Sequence, residues 1–330
     1  MKKKNNFPVM GSAEAHELRL AGLKSKQKKP NILLLITDQQ RYDTVHAGGF
    51  NYMITPNLDR LAEEGIYYKN AYSPNPICMP ARHNLLTGLT ARYHGYPDNT
   101  WGYGMPLGIP TFPQILSDNG YETHTIGKNH FYPLRRHNGY ERMELMTEVP
   151  SFREQDDYTM YLKNVGLGNI QDMHGVRNLL FMLPQRSLIP EEHHGNKWVA
   201  DRAIDFLKTN RGRHPFLLKA SWIAPHPPFD VVDEYAHLYD NVDIPDTRTS
   251  KTSLCSLAEE SKMLGDIPND QYLRRMKQLY FSSITHVDYH LGRILDTLED
   301  TGLAENTIVL FFSDHGEMLG DYGTYQKWLP

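Results

Sequence analysis

Cysteine is scarce in this sequence: Cys78 and Cys255 are the two cysteines among 330 residues. They lie far apart and in different sequence contexts, so they do not form a disulfide framework of the kind that holds small secreted domains together. Each thiol must therefore be judged by itself. The usual interpretation of a free cysteine is a small buried apolar side chain, and a catalytic role needs further support.

The sequence also lacks an apolar run long enough to cross a membrane. Its basic start is followed by polar residues and Pro8 instead of the apolar centre of a signal peptide. We expect residues 1–29, which are polar and basic, to form a mobile leader in front of a domain over residues 30–330. The sequence as written predicts a cytoplasmic protein with no membrane partner, or a periplasmic one if its start is misassigned.

Neither sign of charge dominates: 35 lysines and arginines stand against 39 aspartates and glutamates, which gives a net charge of −4. We find no basic patch interleaved with aromatic residues, so nucleic acid is not an expected partner. The apolar share of 40% is ordinary for a globular protein, and the chain is long enough to bury a sizeable core in one large domain or two smaller ones.

Five apolar runs predict β-strands. They cover residues 31–38, 66–71, 121–126, 215–223 and 307–314. The first and the last two of these runs are continuous rather than alternating, which is typical of strands covered on both faces, as in a parallel sheet.

Helix signals lie between these runs. Four segments are predicted to be helical: residues 55–65, 111–120, 196–209 and 269–300. The first two have Thr and Pro at the start and Gly at the end, and the last is expected to break near Gly292. The alternation of strands and helices predicts an α/β fold. Two loop-rich insertions, at about 135–190 and 230–268, complete the chain, and we expect the first to shape a pocket.

Cys78 lies in a turn that two prolines make rigid. Pro76 and Pro80 restrict the backbone and remove hydrogen-bond donors, which argues against the interior of a helix or a central strand. We therefore expect Cys78 at or just before a helix N-terminus, where free N–H groups favour an anion. Arg82, about one helical turn later, would lower the pKa of the thiol and would hold a tetrahedral oxyanion.

Two of the apolar runs end in an acidic residue. Asp38 ends the first run and is followed by Gln39, and Asp314 ends the last run and is followed by His315. In an open α/β sheet ligands bind beyond the carboxyl ends of the strands, so these side chains can meet although they are far apart in sequence. Mainly oxygen donors with one imidazole suit Ca²⁺, Mg²⁺ or Mn²⁺. Each aspartate alone is explained as a helix cap, but the pair favours a metal site.

Further cationic and imidazole side chains follow other predicted strands. Lys128 and His130 come after the run at 121–126, and His226 comes after the run at 215–223 in a proline-rich turn. Lys327 follows the Asp314 loop. A lone lysine is usually a solvated charge and a lone histidine a structural one, but the repeated position after a strand favours a single site.

The sequence resembles the type I sulfatase family of the alkaline-phosphatase-like superfamily. Residues 78–82 (Cys-Met-Pro-Ala-Arg), followed by Leu-Thr-Gly at 86–88, are similar to the family signature in which the cysteine is oxidised to formylglycine. The other candidate residues occur in the family's order, from about residue 30 to the last residues. The resemblance implies an alkaline-phosphatase-like α/β fold with a mostly parallel central sheet, helices on both faces, and a catalytic domain over residues 30–330.

The resemblance also implies a role for each candidate residue. Cys78, as a hydrated formylglycine, would be the nucleophile and a metal ligand, and Arg82 would steady its geminal diol. The other implied metal ligands are Asp38, Gln39, Asp314 and His315. Lys128 and His130 would lie beside the nucleophile. The residues expected to hold the sulfate ester are Asn99, Lys128, His226 and Lys327, of which His226 and Lys327 would also help the leaving oxygen depart.

The implied activity is hydrolysis of sulfate esters, with sulfated carbohydrates as the favoured substrate class. The implied cofactor is a divalent metal, with Ca²⁺ favoured and Mg²⁺ or Mn²⁺ as alternatives. The implied partners are a small-molecule or oligosaccharide sulfate ester and an enzyme that generates formylglycine. Two other functions stay open: a phosphonate monoester or phosphodiester hydrolase with the same nucleophile, and an inert anion- or glycan-binding protein with an unmodified Cys78.

The sequence departs from the family pattern at three places. Gln39 stands where many sulfatases have a second aspartate, which lowers the negative charge of the site and resembles the phosphonate and phosphodiester branch. Ala81 stands where serine is frequent in the signature. Family members usually continue beyond the catalytic lysine into a smaller subdomain with an antiparallel sheet, whereas this sequence ends at Pro330. We therefore expect the usual C-terminal subdomain to be missing and apolar surface to be exposed.

Overall fold

The computed structural model describes residues 13, 17, 29–177, 184–210, 212–249 and 269–327. The strands are β1 (Asn31–Thr37), β2 (Glu122–Gly127), β3 (Arg142–Leu145), β4 (Gln185–Arg186), β5 (Phe216–Ser221), β6 (Asp230–Val231) and β7 (Thr307–Ser313). The helices are α1 (Pro56–Glu64), α2 (Cys78–Thr87), α3 (Ala91–His94), α4 (Phe112–Asp118), α5 (Asp157–Asn164), α6 (Gly195–Asn210) and α7 (Asp270–Asp300). Cys255, nearly all of the expected leader and part of the 230–268 insertion lie outside the described residues.

Five strands form a parallel sheet in the order β3-β2-β5-β1-β7. In the register of this sheet, Leu35 of β1 lies opposite Ala220 of β5 on one side and Phe311 of β7 on the other. Parallel neighbours need long crossover connections, and the helices supply them. A short parallel pair, β4 and β6, lies apart from this sheet. The predicted α/β fold with a parallel central sheet is therefore confirmed.

Both faces of the sheet are covered, because successive side chains of a strand point to opposite sides. Leu33 and Leu35 of β1 pack into a core that includes residues of α6 and α7. Leu34 and Ile36 pack on the other face, where Met79 of α2 contributes to a second core. The implied arrangement of helices on both faces is confirmed. Among the described helices, none is both long enough and apolar enough to span a membrane.

The strand predicted at 66–71 is wrong. The structure has turns and irregular backbone there. Ile66 is 76% and Tyr68 74% exposed, while Tyr67 is half-buried against the core that contains Leu33. An apolar run forms a strand when a neighbouring strand is available to it, and this segment pairs with none among the described residues.

The break predicted near Gly292 is also wrong, because α7 is continuous from Asp270 to Asp300. Gly292 serves a close approach instead. A Cβ at this position would lie 2.4 Å from Asn57 Oδ1. The absence of that carbon lets Asn57, at the start of α1, donate from Nδ2 to Asp288 Oδ2 at 3.0 Å.

The strand predicted at 307–314 exists as β7, but it is not buried on both faces. It pairs with β1 and, among the described strands, has no partner on its other side. Ile308 is 49% and Leu310 45% exposed. The 135–190 insertion likewise differs from the predicted loops and short helices, because it supplies β3 to the central sheet.

Candidate active site

The candidate residues meet at the carboxyl edge of the parallel sheet. Asp38 follows β1, Lys128 follows β2, and Asp314 follows β7. His226 comes after β5, in the turn predicted from the sequence. Each of these four side chains is less than about a tenth exposed, so the site is a buried cluster and not a group of surface charges.

Cys78 is the first residue of α2 and is fully buried. The preceding residue, Ile77, has an extended backbone, so the helix begins at the cysteine as the sequence predicted. Pro80 fits within the first turn because the N–H groups of that turn have no helical partner. Asn99 supports the helix start, since its Oδ1 accepts a hydrogen bond from Met79 N at 2.9 Å.

The sulfur of Cys78 lies close to both acidic and basic side chains. Its Sγ is 3.7 Å from Asp38 Oδ1, 3.1 Å from His315 Nε2 and 3.0 Å from Lys327 Nζ. Burial and the charge of Asp38 would raise the pKa of the thiol. The positive charges of Lys128 and Lys327 outweigh them, so that the pKa of Cys78 lies below its ordinary value.

Arg82 joins the two aspartates. Its Nη2 donates to Asp38 Oδ2 at 2.9 Å, and its Nε donates to Asp314 Oδ2 at 2.8 Å. Its Nη1 donates to Lys128 O and Ser221 Oγ at the ends of β2 and β5. The guanidinium therefore fixes the spacing of the sheet's carboxyl edge, and its hydrogen bonds go to these groups rather than to the sulfur of Cys78.

Four side chains form a group that could hold a metal ion: Asp38, Cys78, Asp314 and His315. One ligand atom of each lies within 4.8 Å of those of the others. Gln39, the fifth expected ligand, is turned toward other partners: its Oε1 accepts from Lys327 Nζ at 3.2 Å, and its Nε2 donates to Glu317. The role of Gln39 as a ligand stays a prediction.

Lys327 and His226 form the basic side of the site. His226 Nδ1 is 2.6 Å from Pro227 O, which can only accept, so Nδ1 carries the proton. The unprotonated Nε2 accepts from Lys327 Nζ at 2.8 Å. Burial, with the charges of Lys327 and Lys128, holds the pKa of His226 well below its ordinary value. The imidazole is therefore neutral and the lysine supplies the charge.

Lys128 and His130 occupy different positions although they are close in sequence. Lys128 Nζ lies 2.5 Å from Asp38 Oδ2, within the site. His130 has a left-handed backbone (φ 57°), and its ring lies 5.5 Å from the ring of Trp101. Burial and the neighbouring Lys128 hold the pKa of His130 well below its ordinary value.

Three polar residues of the site were missed by the sequence analysis. Glu148 contacts Lys128 and lies 3.7 Å from His226 Nε2, and with other residues of the 135–190 segment it lines a cavity of about 490 Å³. Glu317 is buried and accepts from the side chain of Gln39. Ser221 is the last residue of β5. Like Asp38 after β1, it lies at the carboxyl end of a strand, and this position in the sequence could have identified it as a site residue.

Comparison with known proteins identifies the family. The family model described as Sulfatase matches residues 30–330. An arylsulfatase of Clostridium perfringens is 33% identical over 322 residues, which cover 92% of this chain and 66% of that protein. The human iduronate 2-sulfatase is 29% identical, with 90% of this chain and 56% of that protein covered. This chain therefore spans less than two thirds of the length of either relative.

Solved structures share the fold. The phosphonate monoester hydrolase of Agrobacterium radiobacter superposes with a TM-score of 0.74 at 22% identity, covering 91% of this chain and 67% of that one. A protein solved with its substrate D-glucosamine-2-N,6-O-disulfate gives a TM-score of 0.69 at 21% identity, covering 90% and 68%. At these identities the structures show the fold alone, while the family match covers nearly the whole chain. The chain belongs to the sulfatase family.

Proposed function

We propose that the protein hydrolyses sulfate esters, with sulfated carbohydrates as the substrate class. The observation that carries this proposal is the position of Cys78 in one buried site beside both carboxylates and lysines. Asp38 Oδ1 lies 3.7 Å and Lys327 Nζ 3.0 Å from the sulfur, and Lys128 Nζ lies 2.5 Å from Asp38 Oδ2. The metal-ligand group around Asp38 and Asp314, which we call the acidic half, suits a cation, and the lysines with His226, which we call the basic half, suit the sulfate group.

The acidic half fits a divalent cation. Arg82 donates hydrogen bonds to the Oδ2 atoms of Asp38 and Asp314. The Oδ1 atoms of the two aspartates lie 3.9 Å and 3.7 Å from His315 Nε2, respectively. Oxygen donors of this kind favour Ca²⁺, with Mg²⁺ or Mn²⁺ as alternatives. A bound cation would stabilise negative charge on the sulfuryl oxygens in the transition state. Gln39 would join the ligands only if its side chain turned away from Lys327.

The nucleophile requires a modified Cys78. Formylglycine at this position would supply a geminal diol. One hydroxyl would attack sulfur as the ester S–O bond breaks and the alcohol leaves with a proton. The other hydroxyl would then lose its proton to a basic side chain as the aldehyde re-forms and sulfate leaves. A thiol has no second hydroxyl and therefore no such exit route. Because Cys78 is fully buried, a maturation enzyme would have to reach it before the chain folds.

The basic half binds the sulfate ester and supplies a proton. Lys128 and Lys327 are preorganised charges in a water-poor site, where they stabilise the dispersed negative charge of the transition state. Lys327 Nζ donates to the neutral His226, so these two side chains can share a proton near the leaving oxygen. Asn99 lies at the start of α2 and would orient the ester beside the nucleophile.

A phosphonate monoester or phosphodiester hydrolase is the second candidate. Gln39 stands where many sulfatases have a second aspartate, a departure that resembles the phosphonate and phosphodiester branch. Phosphonate monoester hydrolases are also among the structures with a TM-score of 0.74. A third candidate is an inert anion- or glycan-binding protein that keeps Cys78 unmodified.

Parallel kinetics on an aryl sulfate and an aryl phosphonate monoester test the proposal. Protein produced together with a formylglycine-generating enzyme should have the higher kcat/KM on the sulfate, and Cys78→Ala should be inactive on both substrates. A higher kcat/KM on the phosphonate would favour the second candidate. Binding of a sulfated oligosaccharide without turnover of either ester would favour the third.

A further inference from the structure

A second group of possible metal ligands lies outside the candidate active site. It consists of Glu191, His286 and His290, and it shares no residue with the group around Cys78. The two histidines are four residues apart on α7 and therefore face the same side of the helix. Glu191 reaches them from the short 3₁₀ helix Glu191–His193, which precedes α6.

The donor atoms of this group converge on one point. His286 Nε2 and His290 Nε2 are 3.0 Å apart, and the Glu191 oxygens lie 2.8 Å from the first and 3.1 Å from the second. Zinc binds imidazole nitrogen and carboxylate oxygen at about 2.0–2.1 Å, so its ligand atoms are separated by roughly 3 Å. A cation close to the two nitrogens and the Glu191 carboxylate would contact all three side chains.

Hydrogen bonding accounts for only part of this arrangement, through the contact of His290 Nε2 with Glu191 Oε1 at 3.1 Å. Glu191 Oε2 is buried and makes no aligned hydrogen bond, although it is 2.8 Å from His286 Nε2. Two imidazole nitrogens at 3.0 Å repel each other if both carry protons. Both rings are 1% exposed, while the Glu191 side chain is 25% exposed and gives access from solvent.

The surroundings hold the rings in place. Tyr235 stacks on His286 with ring centroids 4.4 Å apart, and Asn196 Nδ2, a donor, lies 3.2 Å from His286 Nδ1. Metal binding by His286 Nε2 requires a proton on Nδ1, so the Asn196 amide must turn its oxygen toward this atom. The turned amide would then orient the imidazole, as outer contacts do at metal sites. Three protein ligands leave a fourth position of a tetrahedral site for water.

Arg293 works against a bound cation. Its Nη1 lies 3.1 Å from His290 Nδ1, the atom that must carry the proton when Nε2 binds a metal. The same guanidinium contacts Asp201 Oδ1 through Nη2 at 2.6 Å. Metal binding therefore requires Arg293 to turn toward Asp201, and this turn lowers the affinity.

From this geometry we propose that Glu191, His286 and His290 form a zinc site that links α7 to the segment before α6. The site is separate from the catalytic group and is independent of the proposed function.

Zinc titration calorimetry of chelator-treated protein tests the site. All variants carry Cys78→Ala and Asp314→Asn, which remove two possible ligands of the metal group in the candidate active site. This double variant is the background. We expect one equivalent of Zn²⁺ to bind, Glu191→Gln to weaken binding by about tenfold or more, and Arg293→Gln to bind at least as tightly as the background. Glu192→Gln is the matched control, because this neighbouring side chain is 74% exposed, and it should leave binding unchanged.

Co²⁺ absorption on the same background gives a second measurement, and the circular dichroism spectrum of each variant shows whether it is folded. We expect the visible bands of a tetrahedral site with nitrogen and oxygen ligands, and these bands should be lost in His290→Gln. Absence of zinc binding in the background would overturn the proposal. So would equal zinc binding by the Glu191→Gln and Glu192→Gln variants, or cobalt bands that survive in His290→Gln.

Discussion

Replacing Arg82 by alanine should destabilise the protein strongly, because the substitution leaves two buried carboxylates without their shared partner. The side chains of Asp38 and Asp314 are 0% and 3% exposed, and Arg82 is 3% exposed. Removing one partner of a buried ion pair costs about 3–5 kcal/mol. Lys128 remains beside Asp38, which places the expected loss toward the lower end of that range.

Arg60 offers a matched control. It also has several acidic partners, Glu64, Asp296 and Glu299, but their side chains are 64%, 65% and 56% exposed. Exposed ion pairs of this kind contribute about 0.3–0.5 kcal/mol each because water and salt screen them, so the three pairs of Arg60 amount to about 1 kcal/mol. Arg60→Ala should therefore cost much less than Arg82→Ala, although both variants lose an arginine with carboxylate contacts.

Urea unfolding followed by circular dichroism measures the difference. The chelator EDTA is present throughout, so that no cation compensates the unpaired aspartates. We expect the free energy of unfolding to fall by about 3 kcal/mol in Arg82→Ala and by about 1 kcal/mol or less in Arg60→Ala. Arg82→Lys should fall between them, because a point charge cannot reproduce the fork that spans four acceptors. Equal losses in Arg82→Ala and Arg60→Ala would refute the reasoning.

Three further predictions concern the site and its supporting helix. Cys78→Ala should abolish turnover of an aryl sulfate and keep the folded circular dichroism spectrum, since alanine fits the space of the cysteine; an active variant would exclude Cys78 as nucleophile. Lys128→Ala and Lys327→Ala should each lower kcat by about 10²-fold or more, and normal rates in both would contradict their role in charge stabilisation. Burial lowers the pKa of His83 to about 4 in the folded protein, so the unfolded chain binds a proton first as the pH falls below about 6.5. Between these two pH values the ionisation of His83 lowers the free energy of unfolding by at most ~1.4 kcal/mol per pH unit. His83→Gln should reduce this slope in urea titrations between pH 4.5 and 7, and an unchanged slope would show that His83 ionises normally.

The sequence predicted that Asp38, Cys78 and Asp314 lie close together, because a parallel sheet brings strand ends to one edge. Asp38 and Asp314 are far apart in sequence, but β1 and β7 are neighbours in register, and each aspartate directly follows its strand. The start of α2 at Cys78 was also predictable, because prolines restrict where a helix can begin.

Features that depend on tertiary contacts were not predictable. A glycine within a helical pattern is typical of a helix break, but Gly292 instead leaves space for Asn57 from a helix distant in sequence. The 66–71 run has strand-like composition but no neighbouring strand to pair with among the described residues. Glu148 enters the site from an insertion with weak periodicity, so no pattern in the sequence pointed to it.

The most direct test of the account is the mass of the peptide that contains position 78, taken from protein that hydrolyses an aryl sulfate. If formylglycine at position 78 is the nucleophile, this peptide is lighter than the encoded peptide by the difference between a cysteine and a formylglycine. The turnover rate should also rise in proportion to the modified fraction across preparations. Full activity in a preparation whose Cys78 is entirely unmodified would contradict the account.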